Sequence, residues 1–450
     1  MLPLVPLLFA QTNPLPAPQQ EVFQPQEVRA LPGRLDSTLV FNSNSPEVVQ
    51  TEGILLSTFP RINKRVPAAH LNKPLQGRFD LFAHHIAKAQ SPTDLKTLYL
   101  GILLSNPTQK PVTVDILQAA SYLSQPDAPF IELPPYLDNP TSSVYAGPGD
   151  RVMNDLLRDQ RQPGWPAQVI IPPRQSRMLM NLPIPVRSLE PPINGRSTLI
   201  RVRTNGPVYA ASLARFAPLN LDKSERAPTL EEWQALLQNG ALAGPRDKVP
   251  TPPTITKKVS YGRVAGIAQG SEWQALLSDS PNSQLSLSIP QPGQAISYVL
   301  STVLAGTFGT GQVQSAPMLA RYPDTAYQAH GNYGIKYNLS LPLYNASEQP
   351  RAVSVAMQTA LKADKPEAGL RYLNPPAQQV FFRGTVRVRY TDDQKLPRTR
   401  YVHFVQRRGQ QSEPLVTLSL PPQARRLVQV EFLYPPDATP PQVLTIRTLK

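Results

Sequence analysis

The run Leu98-Tyr-Leu-Gly-Ile-Leu-Leu-Ser-Asn106-Pro-Thr-Gln-Lys-Pro111-Val-Thr-Val114-Asp-Ile116 decides the fold. An apolar strand ends at Asn106, a proline stands five residues on, and a second strand begins in which Val112, Val114 and Ile116 alternate with polar residues. A period of two belongs to a strand with one buried face, and Asn and Pro supply the turn between the strands. The pattern returns in Tyr337-Asn-Leu-Ser-Leu-Pro-Leu-Tyr-Asn345-Ala-Ser-Glu-Gln-Pro350-Arg-Ala-Val353-Ser-Val355. Two further echoes follow in the same order. Val169-Ile-Ile-Pro172-Pro173 with Met178-Leu-Met parallels Leu418-Ser-Leu-Pro421-Pro422 with Leu427-Val, and Leu199-Ile-Arg-Val-Arg-Thr204 parallels Leu444-Thr-Ile-Arg-Thr448.

These echoes predict two copies of one all-β unit, over 40–220 and 258–450, each a β-sandwich. Leu100, Ile102, Leu104, Val112, Val114 and Ile116 are expected in one core, and Leu339, Leu341, Leu343, Val353, Val355 and Met357 in the other. A chain of 450 residues is too long for one ordinary core. Proline makes up 53 of those residues, more than twice the usual share of about 5%, which favours short strands and rigid turns over long helices. Residues 12–39 read as a Pro-rich linker and 221–257 as a helical, Pro-rich linker.

A few short helices are expected. Asp150 is placed as the N-cap of a surface helix carrying Val152, Met153, Leu156 and Leu157, and Thr229 with Glu232 has capping-box spacing. Glu272-Trp-Gln-Ala-Leu-Leu277 repeats the string of the second helix, which suggests another like it. Residues 1–11, apolar up to Phe9-Ala10 before Gln11, resemble a secretory signal segment, with cleavage expected near Ala10-Gln11. No later run approaches the eighteen or so apolar residues of a membrane span. With no cysteine, disulfides, thiolate metal sites and a Cys nucleophile are excluded.

The strand-Asn-turn-Pro-strand pattern resembles bacterial immunoglobulin-like domains, so the fold class is mainly β, with two related immunoglobulin-like sandwiches. Four strings carry a wider resemblance: Phe41-Asn-Ser-Asn-Ser-Pro-Glu-Val-Val-Gln50, Gln118-Ala-Ala-Ser-Tyr-Leu-Ser-Gln-Pro-Asp-Ala-Pro-Phe130, Arg321-Tyr-Pro-Asp-Thr-Ala-Tyr-Gln-Ala-His-Gly-Asn-Tyr333 and Tyr434-Pro-Pro-Asp-Ala-Thr-Pro-Pro-Gln-Val443. Through them almost the whole chain resembles a family of uncharacterised cyanobacterial proteins with a domain of unknown function. That resemblance implies a source and no activity.

No catalytic signature is present. Ser271 lacks the second glycine of a nucleophile elbow, and Gly306-Thr-Phe-Gly-Thr-Gly311 lacks the lysine of a P-loop. Asp392-Asp393 suits a hairpin turn. His84 and His85, neighbours on a strand, point to opposite faces and so suit no shared metal. No metal or cofactor is implied. The Tyr322, Asp324, Tyr327, His330 and Tyr333 loop suits either sugar binding by stacking and hydrogen bonding or a packed turn.

The charge balance is the stronger pointer. The net charge is +14, and residues 381–450 hold 12 Lys or Arg against 5 Asp or Glu, so half of the surplus lies in the last 70 residues. Alternation sets Arg383, Arg387 and Arg389 on one strand face, with Arg398, Arg400, Arg407 and Arg408 expected on the next strand. Such a face suits an anionic envelope polysaccharide, lipid phosphate or acidic protein, or it serves solubility alone. Nucleic acid is the generic partner of a basic patch, and export removes the protein from it. The leading expectation is a non-enzymatic exported envelope protein, in the periplasm or outside the cell, that binds or scaffolds an anionic partner such as envelope polysaccharide. The rivals are a polysaccharide-active enzyme using the Tyr322–Tyr333 loop and, for a cytoplasmic protein, nucleic-acid binding.

Overall fold

The computed structural model describes residues 18–255, 259–279 and 285–450, so the signal-like segment 1–11 lies outside the described residues. In the N-terminal half the elements are β1 (Gln20–Pro25), β2 (Glu27–Arg29), β3 (Arg34–Leu35), β4 (Leu39–Ser43), β5 (Val48–Val49), β6 (Gly53–Ser57), β7 (Leu75–Lys88), β8 (Leu98–Ser105), β9 (Val112–Leu123) and β10 (Tyr136–Asp138). Helix α1 (Pro148–Leu157), β11 (Gln168–Ile171), β12 (Ser176–Ile184), β13 (Ile193–Phe216) and helix α2 (Leu230–Asn239) follow. The C-terminal half holds β14 (Ala265–Gln269), β15 (Glu272–Leu276), β16 (Leu287–Ser288), β17 (Ala295–Leu300), β18 (Ala316–Arg321), β19 (Gln328–Ala329), β20 (Lys336–Tyr344) and β21 (Arg351–Gln358). It closes with β22 (Gly369–Asn374), β23 (Val380–Thr391), β24 (Pro397–Arg407), β25 (Val416–Leu420), β26 (Arg425–Leu433) and β27 (Gln442–Thr448). The protein is mainly β.

Strand order repeats between the halves. One sheet runs β2-β17-β27-β21-β25, and the run β4-β7-β13-β9-β11 in the largest sheet has the same order. In each the first pair is parallel, β2 with β17 and β4 with β7. The partner layers match too, since β8 pairs antiparallel with β12 as β20 does with β26. The 24-residue β13 reaches both layers of its half, pairing first with β7 and β9 and then, beyond Asn205-Gly206-Pro207, with β8 and β6.

Leu100, Ile102, Leu104, Val112, Val114 and Ile116 are buried in one core and their six counterparts in another. The outer faces differ. Along β20 buried and half-buried residues alternate strictly, whereas β8 is buried on both faces because α2 lies against it. Gly101 makes that fit possible, since a Cβ there would meet the Trp233 ring at 2.9 Å. Helix α2 starts at the expected capping box: Glu232 N–H donates to Thr229 Oγ1, and Glu232 Oε2 accepts from Thr229 N–H.

Four features differ from the sequence expectation. Residues 20–35, read as linker, form β1, β2 and β3, which pair with β22, β17 and β15; these polar segments carry little apolar signal, and open sheet edges recruit their backbone groups. Pairing also crosses the expected division at 258, since β14 joins β4, and β10 from the first half joins β24. The segment Glu272–Leu276 is a strand, parallel to β20, with Trp273 and Ala275 buried. Helix α1 is no surface helix: nine of its ten residues are buried, and it is wedged between β9 and β13 on one side and β23 and β26 on the other. Its N-cap is Gly147, while Asp150 sits inside, where Oδ2 accepts from Ala146 N–H and lies 2.7 Å from His403 Nε2.

Candidate functional site

Alternation does put Arg383, Arg387 and Arg389 on one face of β23, yet that face is not free. Glu431 on β26 stands directly across from Arg387 and is 1% exposed. Arg387 donates to both its carboxylate oxygens at 2.9 Å, Arg389 lies 2.8 Å away and Lys336 Nζ 3.5 Å away. Burial alone raises the Glu431 carboxyl, and the Arg387 hydrogen bonds with the charges of Arg387, Lys336 and Arg389 outweigh it, leaving it below the usual carboxylate range. The end of α1 closes over the patch, with Asp159 3.7 Å from Arg387 and Arg158 stacked 3.7 Å over Tyr401. Arg383 lies over the Phe130 ring at 5.3 Å. Arg398 pairs with Asp392 and Arg400 with Asp138, both at 2.7 Å, and Arg407 donates to Gln378. The arginine face is largely neutralised from within, because its counter-charges come from other strands and from the first half.

The Tyr322–Tyr333 loop divides. Tyr322 is 1% exposed, and its hydroxyl donates to Ala69 carbonyl at 2.8 Å and accepts from Ser57 N–H at 3.0 Å, so it is a core residue of the first half. Asp324 is held by Arg246 through two bonds of 2.7 and 3.1 Å. Tyr327 carries the Arg321 guanidinium 3.6 Å over its ring. His330 and Tyr333 line a cleft.

That cleft, of about 280 Å3, is lined among others by Asn44, Tyr261, Arg263, His330, Tyr333 and Lys362. The Tyr261 and His330 rings lie 4.8 Å apart. Burial, reinforced by Arg263, lowers His330 to about 4, so it is neutral at physiological pH. Burial also lowers the Lys362 ammonium, with Asp364 opposing and Arg408 reinforcing. Asn44 is 3% exposed, and its Oδ1 and His330 Nδ1 are enclosed without a hydrogen-bond partner.

A second cleft, of about 350 Å3, lies beyond the Glu47–Arg263 ion pair and is lined among others by Glu47, His84, Asn194 and Asp437, with Ile86, Phe130 and Ile193 as apolar wall. Burial, helped by the charges of Asp150 and Glu47 and opposed by Arg383, raises Asp437 to about 7. Asp437 follows Pro435-Pro436 in the loop that packs on α1, so close that a Cβ on Gly149 would meet Pro436 Cγ at 2.0 Å. His84 accompanies Glu47 at 3.6 Å and bonds Ser197 at 2.8 Å; His85, on the opposite face, bonds Ser43 and the Pro46 carbonyl. Among the described residues no group of three or more His, Asp or Glu is arranged to hold a metal ion, and no helix is long and apolar enough to cross a membrane.

Sequence reasoning missed Glu47, Tyr261, Arg263, Lys362 and Asp437. Local sequence marks neither carboxylate, since the Pro-acid step of Pro46-Glu47 and Pro436-Asp437 recurs at Pro126-Asp127, Pro323-Asp324 and Pro366-Glu367.

No curated protein matches the chain. Among solved structures it is similar to one described as "Crystal structure of Lac15 from a marine microbial metagenome", at 9% identity over 84% of this chain and 54% of that one. The chain thus spans about half of that structure, and the TM-score of 0.10 carries no argument about fold. The family model described as "Protein of unknown function (DUF3370)" matches residues 26–448, nearly the whole chain. The chain therefore belongs to the DUF3370 family.

Proposed function

We propose that this protein is a non-enzymatic envelope protein that binds an anionic glycan, and that the ligand sits in the Tyr261–His330 cleft rather than on the arginine face of β23. The observation that carries this reading is the meeting in one cleft of two close rings, the unpartnered Asn44 Oδ1 and the basic groups Arg263 and Lys362. Rings offer a face for a sugar, amides and phenols hydrogen-bond its hydroxyls, and guanidinium and ammonium groups receive a carboxylate or sulfate. An anion beside Lys362 favours its charged form, which burial and Arg408 disfavour and Asp364 supports. The envelope setting rests on the signal-like residues 1–11, the cyanobacterial source on the four quoted strings, and the paired immunoglobulin-like sandwiches on the repeated strand order.

The test is calorimetric titration with a uronic-acid oligosaccharide at two salt concentrations. Binding is expected to weaken with salt and to fall at least about tenfold in Tyr261→Ala and in Lys362→Ala, as exposed charges are screened over roughly 8 Å at physiological ionic strength. The Arg398→Gln protein should bind unchanged. Salt-insensitive binding, or none, removes the reading. Release of reducing ends from the oligosaccharide would favour the enzymatic rival.

A further inference from the structure

We propose that the second cleft, between Glu47 and Asp437, is a separate binding site for a primary ammonium group carried on a short apolar chain. In a chain of net charge +14, this cavity brings two carboxylates together from opposite ends of the sequence. Asp437 as a residue is half-buried, yet its Oδ2 is enclosed without a hydrogen-bond partner. A buried carboxylate without a donor takes up either a proton or a cation.

The groups facing Asp437 decide which cation fits. From α1 comes Asp150, already engaged with His403, and from the loop after β4 comes Glu47; both add negative charge. From β23 comes Arg383, whose charge opposes them, but its Nε is enclosed and unpartnered, its guanidinium lies over Phe130, and it forms no ion pair with Asp437 among the described residues. Glu47 is held by Arg263 and still stands above its usual range, because burial and the charge of Asp247 outweigh that arginine. His84, buried on β7 at the cleft wall, is lowered by burial to about 3 and adds no charge. The local cations therefore leave both carboxyls undercompensated, and a mobile ammonium completes the set.

The walls indicate what carries the ammonium. Ile86, Pro129, Phe130, Pro148 and Ile193 line the cavity, and Phe130 and Ile193, 53% and 38% exposed, stand at its mouth. A volume of about 350 Å3 is roughly that of ten waters. It accommodates an alkylamine or a lysine-like side chain.

The probe is n-pentylamine, with 1-pentanol as its neutral isostere, titrated into the full chain while the amide resonances around the cleft are followed. The amine is expected to shift them saturably and the alcohol not to. Affinity should fall as pH falls, since a proton competes for Asp437: between about pH 8 and 5.5 the loss should exceed about tenfold for a carboxyl titrating near 7. Asp437→Asn and Glu47→Gln, both isosteric, should each weaken binding by about tenfold, with melting curves confirming the fold. Lys362→Ala, which belongs to the neighbouring cleft, should leave it unchanged, so failure of the glycan reading and failure of this one are distinguishable. Equal shifts from the alcohol, undiminished amine binding in folded Asp437→Asn, or affinity independent of pH would each overturn the proposal.

Discussion

Asn106 and Asn345 hold the corners of their two halves through the same set of hydrogen bonds. The Asn106 Nδ2 group donates to the carbonyls of Lys110, Ile171 and Pro172 at 2.7, 3.0 and 3.1 Å, and that of Asn345 to Gln349, Leu420 and Pro421 at 2.8, 2.9 and 3.1 Å. Each Oδ1 accepts from the backbone and the hydroxyl of the residue two further on, Thr108 or Ser347. Both are 1% exposed. Each side chain ties the β8–β9 or β20–β21 turn to the Pro-Pro turn after β11 or β25.

Replacing either Asn by Ala strands several buried carbonyls and N–H groups at once. A loss of about 2 to 4 kcal/mol is expected for each, from two or three net bonds of about 1 kcal/mol plus desolvation of the groups left behind. Hydrogen exchange should show the effect locally, in β9 and β11 for Asn106→Ala and in β21 and β25 for Asn345→Ala. Strongly unequal costs would count against equivalence of the two corners.

Glu431 makes Arg387 a structural residue. Arg387→Gln should cost about 2 to 3 kcal/mol in urea unfolding, less than the ~3–5 kcal/mol of a lone buried pair because Arg389 and Lys336 stay close. Arg398→Gln, which removes an exposed pair with Asp392, should change stability by less than about 1 kcal/mol.

Asp437 predicts a pH dependence of stability. Its folded value, about 7, lies above the ordinary 3.8, so the folded protein holds the proton more tightly than the unfolded chain. The resulting stabilisation is fully present below about pH 4 and is lost as pH rises through about 7, a change on the order of 2 to 4 kcal/mol. Asp437→Asn cannot titrate there, so urea midpoints of wild type and variant should diverge between pH 5 and 8 in the variant's favour. Parallel profiles would place the titration elsewhere.

Helix α1 depends on His403. Asp150 and His403 side chains are both 0% exposed and sit 2.7 Å apart. His403→Ala leaves that buried carboxyl with the Ala146 N–H alone and should cost about 3 to 5 kcal/mol. Faster exchange across 148–157 would report the undocking of α1 from β24; His403→Gln, which keeps a donor, should lose less.

The string EWQALL occurs twice and folds in two ways. At 232–237 it is helical, with Trp233 and Leu237 buried four residues apart; at 272–277 it is extended, with Trp273, Ala275 and Leu277 buried alternately. Only the first copy follows a Thr229 cap, a signal that closes within four residues and was legible. The Asn-Pro corners, the alternation of β9 and β20 and the six-residue core sets were legible for the same reason: turn chemistry and side-chain period act over short stretches of chain. The burial of α1, the strands at 20–35, the neutralising of Arg387 by Glu431 and the joining of Glu47 to Asp437 were not. Each depends on partners about 30 to 390 residues away, and no local period encodes which distant strand edge will satisfy a backbone N–H or which distant carboxylate will meet a guanidinium.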